Sequence, residues 1–262
     1  ILFFIGAVIG SFLNVLIYRT VNELDWVKDR SRCDYCHHIV AWYDNIPLLS
    51  YLILRGKCRH CGKPIAFSHL VVEILTGSLF VWWYFVGFLF FRLTQAPLMI
   101  LQPLFWLLVG VFFLIILVAD LRYYLIPNYA VIPLFVLTCL YRLYLVLSGV
   151  MQPHDLLLAL IATVVLTGLF FALWFFTKGK GFGFGDVKLA VPLGLLLGWP
   201  KLLVGVFFAF ILGGFVGIML LASKKKSFGQ VVPFGPFLIV GAVIALVYGE
   251  AIWAWYMTYA GY

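Results

Sequence analysis

The stretch Phe112–Asp120, FFLIILVAD, decides the fold class of this chain, because eight residues that are all apolar end at a single carboxylate. It closes a predominantly apolar segment over residues 98–119, which is about the length needed to cross the hydrocarbon core of a bilayer. The segment lacks the alternation of a membrane barrel strand, and backbone groups in lipid must be hydrogen-bonded internally. The stretch therefore predicts a membrane-spanning helix with an acid at one end.

Similar apolar runs recur along the chain. Of the 262 residues, 65% are hydrophobic and only 11% are charged, which is too little charge to cover the surface of a water-soluble domain. The sequence predicts an all-α, polytopic membrane protein with about eight transmembrane helices. They are predicted at residues 1–18, 70–91, 98–119, 128–147, 155–177, 186–199, 202–222 and 233–258, of which the sixth is short.

Residues 19–69 break this pattern, since they contain four of the five cysteines, four of the five histidines and five of the ten acids. We predict three domains: a first transmembrane helix over 1–18, a small soluble insert over 19–69, and a transmembrane domain over 70–262. The run at Ile1 has no charged region before it and no small-residue cleavage site. We interpret it as a first membrane helix, with the start of the chain expected to be truncated.

The basic residues predict the orientation. If the insert is cytosolic, 15 of the 18 basic residues lie inside, and only Arg92, Arg142 and Lys201 lie outside, as the positive-inside rule requires. We therefore interpret the net charge of +8 as a topology signal, and no nucleic-acid partner is expected, because the charges are spread over short membrane loops. The inside set comprises Arg19, Lys28, Arg30, Arg32, Arg55, Lys57, Arg59, Lys63, Arg122, Lys178, Lys180, Lys188, Lys224, Lys225 and Lys226.

Two CxxC pairs in the insert predict a metal site. Cys33 and Cys36 form the first pair, and Cys58 and Cys61 form the second after 21 intervening residues. Two such pairs complete a tetrahedral sulfur site for which zinc is the default metal, and a cytosolic location disfavours disulfides. A structural zinc is favoured over a catalytic one, because four sulfurs leave no open position. The insert is also too small to form a large hydrophobic core, so a bound metal is expected to stabilise its fold.

The remaining cysteine and the nearby histidines have other interpretations. Cys139 stands alone in an apolar helix, which favours a packing role. Three histidines close to the pairs could substitute as ligands, although four cysteines suffice: His37, His38 and His60. A redox function for the pairs is weaker, since no βαβ pattern surrounds them.

Five acids lie outside the insert. We expect Asp155 at the start of a helix and Glu250 near the outer interface. Glu73, Asp120 and Asp186 remain, and each would cost about 2.5–3.5 kcal/mol at the centre of a membrane helix. Each of these three is therefore a candidate functional residue.

Asp120 and Asp186 have the strongest pattern, because both are predicted at the cytosolic ends of their helices. Two carboxylates at one depth can share a proton, so that one activates water and the other polarises a peptide carbonyl. Gly179–Asp186, GKGFGFGD, provides glycines that allow a sharp turn and close approach of an extended substrate. Asp120 could instead pair with Arg122, and a carboxylate pair also suits a proton-coupled transporter.

Taken together, the motifs resemble those of the type IV prepilin peptidases, a bacterial branch of the GxGD aspartyl proteases. The opening stretch Gly10–Arg19, GSFLNVLIYR, is similar to the first motif of that family. Trp42–Tyr51, WYDNIPLLSY, continues to Arg55–Cys58, RGKC, and resembles its cytosolic insert. Gly183–Leu189, GFGDVKL, matches its protease motif. The resemblance covers nearly the whole chain.

The resemblance implies eight helices, a bound zinc, and cleavage of the leaders of type IV prepilins and pseudopilins at the cytosolic face of the bacterial inner membrane. It also implies N-methylation of the new N-terminus with S-adenosylmethionine, and it makes Asp120 and Asp186 the catalytic pair. Many members have an aspartate where this chain has Asn128. For the methyl-transfer site, the insert and Glu73 are the candidates.

Two alternatives remain at this stage. A proton-coupled transporter with a structural zinc domain would also use intramembrane acids, but the chain shows no internal repeat of the kind that transporters often carry. A zinc-bearing assembly scaffold would leave Asp120 and Asp186 unexplained.

Overall fold

The computed structural model describes residues 1–25, 30–89, 98–179, 181–224 and 232–261. These residues form helices and contain no β-strand, only two isolated bridges inside the insert. The all-α fold class is therefore confirmed. The helices are α1 (Leu2–Val21), α2 (Leu49–Ile53), α3 (Phe67–Leu89), α4 (Leu98–Tyr123), α5 (Asn128–Leu147), α6 (Pro153–Phe176), α7 (Phe184–Leu197), α8 (Lys201–Ala222) and α9 (Gly235–Tyr259), and a 3₁₀ turn spans Trp42–Asn45.

Each of the eight predicted segments forms a helix. Among the described residues, seven helices are long and apolar enough to cross a membrane, namely α1, α3, α4, α5, α6, α8 and α9. Helix α7 has 14 residues, so it is about 21 Å long and shorter than a hydrocarbon core of about 30 Å. Large apolar side chains are exposed on the long helices, as expected of surfaces that face lipid, for example Leu147, Val164 and Phe176.

Some of the predictions fall on residues that the structure does not describe. Five of the basic residues used to predict the orientation lie outside the described ranges: Lys28, Arg92, Lys180, Lys225 and Lys226. The last two residues of the helix predicted over 70–91 also lie outside them.

The chain divides into two compact units. In the first, Ile1–Val118, helix α1 packs along α3 with the insert between them in sequence. The contact is close because glycines face the neighbouring backbone: a Cβ added to Gly10 would lie 2.9 Å from the Cα of Glu73, and one added to Gly6 would lie 2.7 Å from the carbonyl oxygen of Thr76. Small residues of this kind allow membrane helices to approach each other closely.

In the second unit, Ala119–Tyr262, the short helix α7 is the central element. Ten of its fourteen residues are buried, and it contacts α5, α6, α8 and α9. Arg142 of α5 holds its C-terminal end, since Nε donates to the carbonyl of Leu195 at 2.8 Å and Nη2 donates to that of Leu196 at 3.1 Å. A cation at a helix C-terminus satisfies carbonyls that have no partner within the helix.

The contact between α8 and α9 provides a test of this packing. Gly241 of α9 lies directly against the carbonyl of Gly205 and the amide of Ala209 in α8. Gly241→Leu should therefore separate the two helices and lower the Tm of the protein in detergent, because overpacking a tight contact costs about 1–3 kcal/mol or more. Gly217→Leu is the matched control, since a Cβ there meets no atom within 4 Å. Equal melting of the two variants would contradict the packing.

Candidate functional site

Asp120 lies in the last turn of α4, which extends to Tyr123 and so runs four residues beyond its predicted end. Its side chain is buried, with 5% exposure. The chain then turns at Tyr124, whose φ is +54°, and an extended segment leads to α5. Asp120 therefore lies on the helix itself, close to its C-terminal end.

Asp186 is the third residue of α7 and is equally buried, with 6% exposure. Gly183 is the N-cap residue of this helix, and its backbone N–H faces the Asp186 carboxylate. The carboxylate is also close enough to Asp120 for the two groups to interact electrostatically. Both aspartates belong to the second unit, which brings together two side chains that are 66 residues apart in sequence.

The glycines around the pair permit close approach. A Cβ on Gly183 would lie 3.2 Å from Oδ2 of Asp186, and a Cβ on Gly185 would lie 3.1 Å from the side chain of Ile126. Neither glycine has a positive φ. Their contribution is thus the space that a missing side chain leaves, rather than a backbone conformation that only glycine adopts.

Gly235, the first residue of α9, completes the surroundings of Asp120. A Cβ there would lie 2.6 Å from Oδ2 of Asp120 and 3.1 Å from Ile126. The Gly235 amide faces the carboxylate, yet among the described residues buried Oδ2 has no hydrogen-bond partner of good geometry. Sequence reasoning missed Gly235. The signal that could have identified Gly235 was its place between Phe234 and Pro236, in the stretch PFGP at the start of the last helix.

Aromatic rings connect the two loops that precede these glycines. Phe182 comes before Gly183, Phe234 comes before Gly235, and their ring centroids are 5.4 Å apart. Phe170 of α6 contacts Phe182 at 4.7 Å, and Phe210 of α8 contacts Phe234 at 5.1 Å. Aromatic pairs at these separations stabilise packing beyond their buried area. The cluster therefore fixes the loop before Asp186 relative to the loop that faces Asp120.

This arrangement suits acid–base chemistry. Two buried carboxylates that interact cannot both ionise easily, so one of them tends to keep a proton. An oxygen without a partner, such as Oδ2 of Asp120, can bind a water or donate a proton to a substrate carbonyl. The pair can thus activate water and polarise a peptide bond at the same time.

The four predicted metal ligands also converge. The sulfurs of Cys33, Cys36, Cys58 and Cys61 all lie within 4.8 Å of one another, and those of Cys33 and Cys61 are 3.8 Å apart. Tetrahedral coordination with metal–sulfur bonds of about 2.3 Å places sulfurs about 3.8 Å apart. The described cysteines are all free of disulfides, so the cluster can hold a metal ion.

The two CxxC pairs lie in matching turns. The N–H of His37 donates to the carbonyl of Cys33, and the N–H of Gly62 donates likewise to Cys58. Both donor residues have a positive φ, +55° and +69°. Backbone N–H groups of Cys61 and His60 lower the pKa of the Cys58 thiol to about 7. The His38 N–H also lowers the pKa of Cys36, but desolvation and the neighbouring thiols raise it to about 11, so a metal that binds all four sulfurs must displace protons.

We expect the insert to bind one metal ion per chain. Cys33→Ser should reduce the metal content measured by elemental analysis of the purified protein and should make the insert more sensitive to proteolysis, because the metal holds a segment without a large core. Cys139→Ser is the control, since Cys139 lies in α5 outside the cluster. The protein with this substitution should keep its metal. Metal-free wild-type protein with an intact insert would contradict the prediction.

The other acids outside the insert lie apart from the pair. Glu73 is 9% exposed, and its Oε2 accepts the N–H of Leu48 at 2.8 Å. Glu250, within α9, pairs at 2.7 Å with Lys201, the first residue of α8. Asp155 lies in the exposed first turn of α6, the helix start that was predicted for it.

Asn128, the position at which the resemblance led us to expect an aspartate, begins α5. Its Oδ1 accepts a hydrogen bond from Nζ of Lys188 at 2.8 Å. An amide can fill this role but cannot act as a carboxylate, so the geometry leaves Asp120 as the acid that faces Asp186.

Comparisons with known proteins cover nearly the whole chain. The bacterial peptidase A24 N-terminal domain matches residues 4–87, and the type IV leader peptidase family matches residues 107–218. A prepilin leader peptidase/N-methyltransferase of Aeromonas hydrophila is 32% identical over 98% of this chain and 93% of its own length. One of Legionella pneumophila is 30% identical over 96% of this chain and 91% of its own. No solved structure gives a significant match.

Proposed function

The chain belongs to the type IV leader peptidase family, and on this premise we propose that Asp120 and Asp186 are the catalytic pair of a membrane endopeptidase that removes the leader of prepilins and pseudopilins. The observation that carries the proposal is the burial of both carboxylates within interaction range of each other, with Oδ2 of Asp120 lacking a hydrogen-bond partner in the described part of the chain. The relatives give no support to a proton-coupled transporter.

The reaction follows from the two protonation states of the pair. The ionised carboxylate takes a proton from a water molecule while the oxygen of that water attacks the scissile carbonyl carbon. At the same time the protonated carboxyl donates its proton to the carbonyl oxygen. The resulting diol collapses when a proton passes to the leaving amine, which becomes the new N-terminus. Burial strengthens each of these charge interactions, because the surroundings have a low effective dielectric constant.

Glycines border both carboxylates. A Cβ on Gly183 would lie 3.2 Å from Oδ2 of Asp186, one on Gly185 would lie 3.1 Å from Ile126, and one on Gly235 would lie 2.6 Å from Oδ2 of Asp120. The missing side chains therefore leave the two carboxylates unobstructed by their neighbours in the chain. A peptide bond within a helix is shielded from water, so the substrate must be extended where it meets the pair, and a backbone without bulky side chains suits that close approach.

We place this reaction at the cytosolic edge of the bacterial inner membrane. The support is the charge distribution, which puts 15 of 18 basic residues on one side. In this orientation Asp120, at the end of α4, and Asp186, at the start of α7, both face the cytosolic interface. A leader followed by an apolar helix would then be cut where it leaves the bilayer.

The proposal extends to a metal and a methyl donor. Zinc fits the four-sulfur cluster, since the sulfur spacing agrees with tetrahedral coordination, and with no open position its contribution is to hold the insert folded. S-adenosylmethionine would supply the methyl group for the new N-terminus, as the names of the relatives imply. The described residues contain no glycine-rich nucleotide-binding turn, and we assign the donor to no residue.

A mass measurement tests both activities. We would incubate the purified protein with a prepilin in detergent, with and without S-adenosylmethionine. We expect loss of the leader in both reactions and the added mass of one methyl group only with the donor. An uncut prepilin would overturn the peptidase proposal, whereas a cut but unmethylated product would overturn only the methyl transfer.

A further inference from the structure

We propose that the insert is seated on the membrane surface: helix α2 sets an apolar face between lipid headgroups and acyl chains, and Arg55 and Lys57 bind anionic headgroups. The residues that we propose to contact the bilayer are Leu49, Leu52, Ile53 and Trp42 together with these two cations, and we call this set the α2 face. Its partner is a bilayer that contains anionic lipid.

The apolar residues of α2 point away from the protein. Leu49, Leu52 and Ile53 are spaced i, i+3 and i+4, so they lie on one side of the helix. They are 50%, 67% and 64% exposed. The opposite side carries Ser50, which is buried and donates its hydroxyl hydrogen bond to the carbonyl of Tyr43 at 2.9 Å. This helix is thus turned with its apolar side outward, as expected of an interfacial helix.

A hydrogen bond fixes the depth of α2. The N–H of Leu48, the residue directly before α2, donates to Oε2 of Glu73 at 2.8 Å. Glu73 lies six residues inside α3, whose stretch Phe67–Val86 is long and apolar enough to span a membrane. Six residues correspond to about 9 Å along the helix axis. The hydrogen bond therefore holds Leu48 beside a helix that is long and apolar enough to span a membrane, about two turns from its first residue.

The backbone conformation of Leu48 is unusual, which supports a specific role for its hydrogen bond with Glu73. Leu48 has φ of +63° and ψ of −53°, a conformation that residues with a side chain seldom adopt. Strained conformations of this kind persist only where the surroundings hold them. Here the buried Glu73 carboxylate provides that hold, and the result is that α2 starts at a defined height on α3.

The charges next to α2 match an anionic surface. Arg55 and Lys57 lie two and four residues after the end of α2, are exposed, and form no ion pair within the described part of the chain. The nearby carboxylate of Asp44 is already engaged by Arg59 in a two-pronged contact. Cations beside an apolar face favour anionic lipid. Trp42, which is 76% exposed, is a residue type that concentrates at membrane interfaces.

Photocrosslinking of the full chain in bilayers tests the α2 face. Leu52 is replaced by the photoreactive residue p-benzoylphenylalanine, and the protein is reconstituted in phosphatidylethanolamine–phosphatidylglycerol vesicles. After illumination, intact mass measurement identifies the adduct. The control places the same residue at Tyr35, an exposed aromatic position between the first two cysteines. We expect lipid adducts in large excess at position 52 over position 35.

A second measurement tests whether Arg55 and Lys57 bind anionic headgroups. Arg55→Gln combined with Lys57→Gln should lower the phosphatidylglycerol share of the adducts several-fold, toward its share in the vesicle, while adducts at position 52 persist. An unchanged share would overturn the role of the cations. Adducts to protein rather than lipid at position 52, or equal lipid adducts at positions 52 and 35, would overturn the membrane seat itself.

Discussion

Asp120→Asn and Asp186→Asn should each abolish cleavage of a prepilin while leaving the protein folded. Asparagine has nearly the same shape as aspartate, but it can neither accept a proton from water nor donate one as a carboxylic acid. Each role contributes about 10²–10⁴-fold to a rate, so either variant should fall below detection in a steady-state assay. The measurement is the amount of leader released from a purified prepilin by each variant.

Two controls separate chemistry from folding. Asp155→Asn changes an exposed acid in the first turn of α6 and should cut at the wild-type rate. The melting temperatures of the two catalytic-pair variants should be at or above that of the wild type, because a buried amide costs less to desolvate than a buried carboxylate. If either variant retains near wild-type cleavage, that residue is not part of the mechanism.

Gly235→Ala should cause the second largest loss, although it adds only one methyl group. The new Cβ would lie 2.6 Å from Oδ2 of Asp120, which is too close for an unshifted carboxylate. A displacement of about 1 Å at a reacting group can cost about 10²-fold in rate. We expect kcat to fall by about this factor, with binding of the substrate affected less, because the methyl group displaces a catalytic oxygen.

The free energy of unfolding should change much less than the rate. The atom that must move is the end of a side chain rather than backbone, and Gly235 has no positive φ that alanine would find strained. Gly217→Ala in α8 is the matched control, since a Cβ there meets nothing within 4 Å and cleavage should be unchanged. A Gly235→Ala enzyme with wild-type kcat would show that the carboxylate does not need this space.

Local sequence was sufficient for the helices and for both sets of candidate residues. Runs of about 20 apolar residues can only be helices in lipid, so α1, α3, α4, α5, α6, α8 and α9 were all predicted. The four cysteines were predictable because two CxxC pairs have a defined metal geometry. Asp120 could be identified as a candidate because a carboxylate at the end of an apolar membrane run costs free energy that a function would explain.

The sequence did not predict how α7 is used. Its 14 residues fit the pattern of a short span, but the structure encloses them among four other helices and holds their last carbonyls with Arg142. Charge counting placed Arg142 on the outer side and gave it no contact with α7. Hydrophobicity cannot distinguish a helix that faces lipid from one that faces protein, because both surroundings are apolar.

The sequence by itself determined the membrane helices, the four-cysteine cluster and the two aspartates, since each depends on residue type and spacing along the chain. Only the tertiary structure decided that Gly235 faces Asp120, that Phe182 packs on Phe234, and that Glu73 holds Leu48. These contacts join residues separated by 25 to 115 positions. The physical reason is that such contacts arise from side-chain volume and backbone approach between packed elements, and neither quantity leaves a periodic pattern in the sequence.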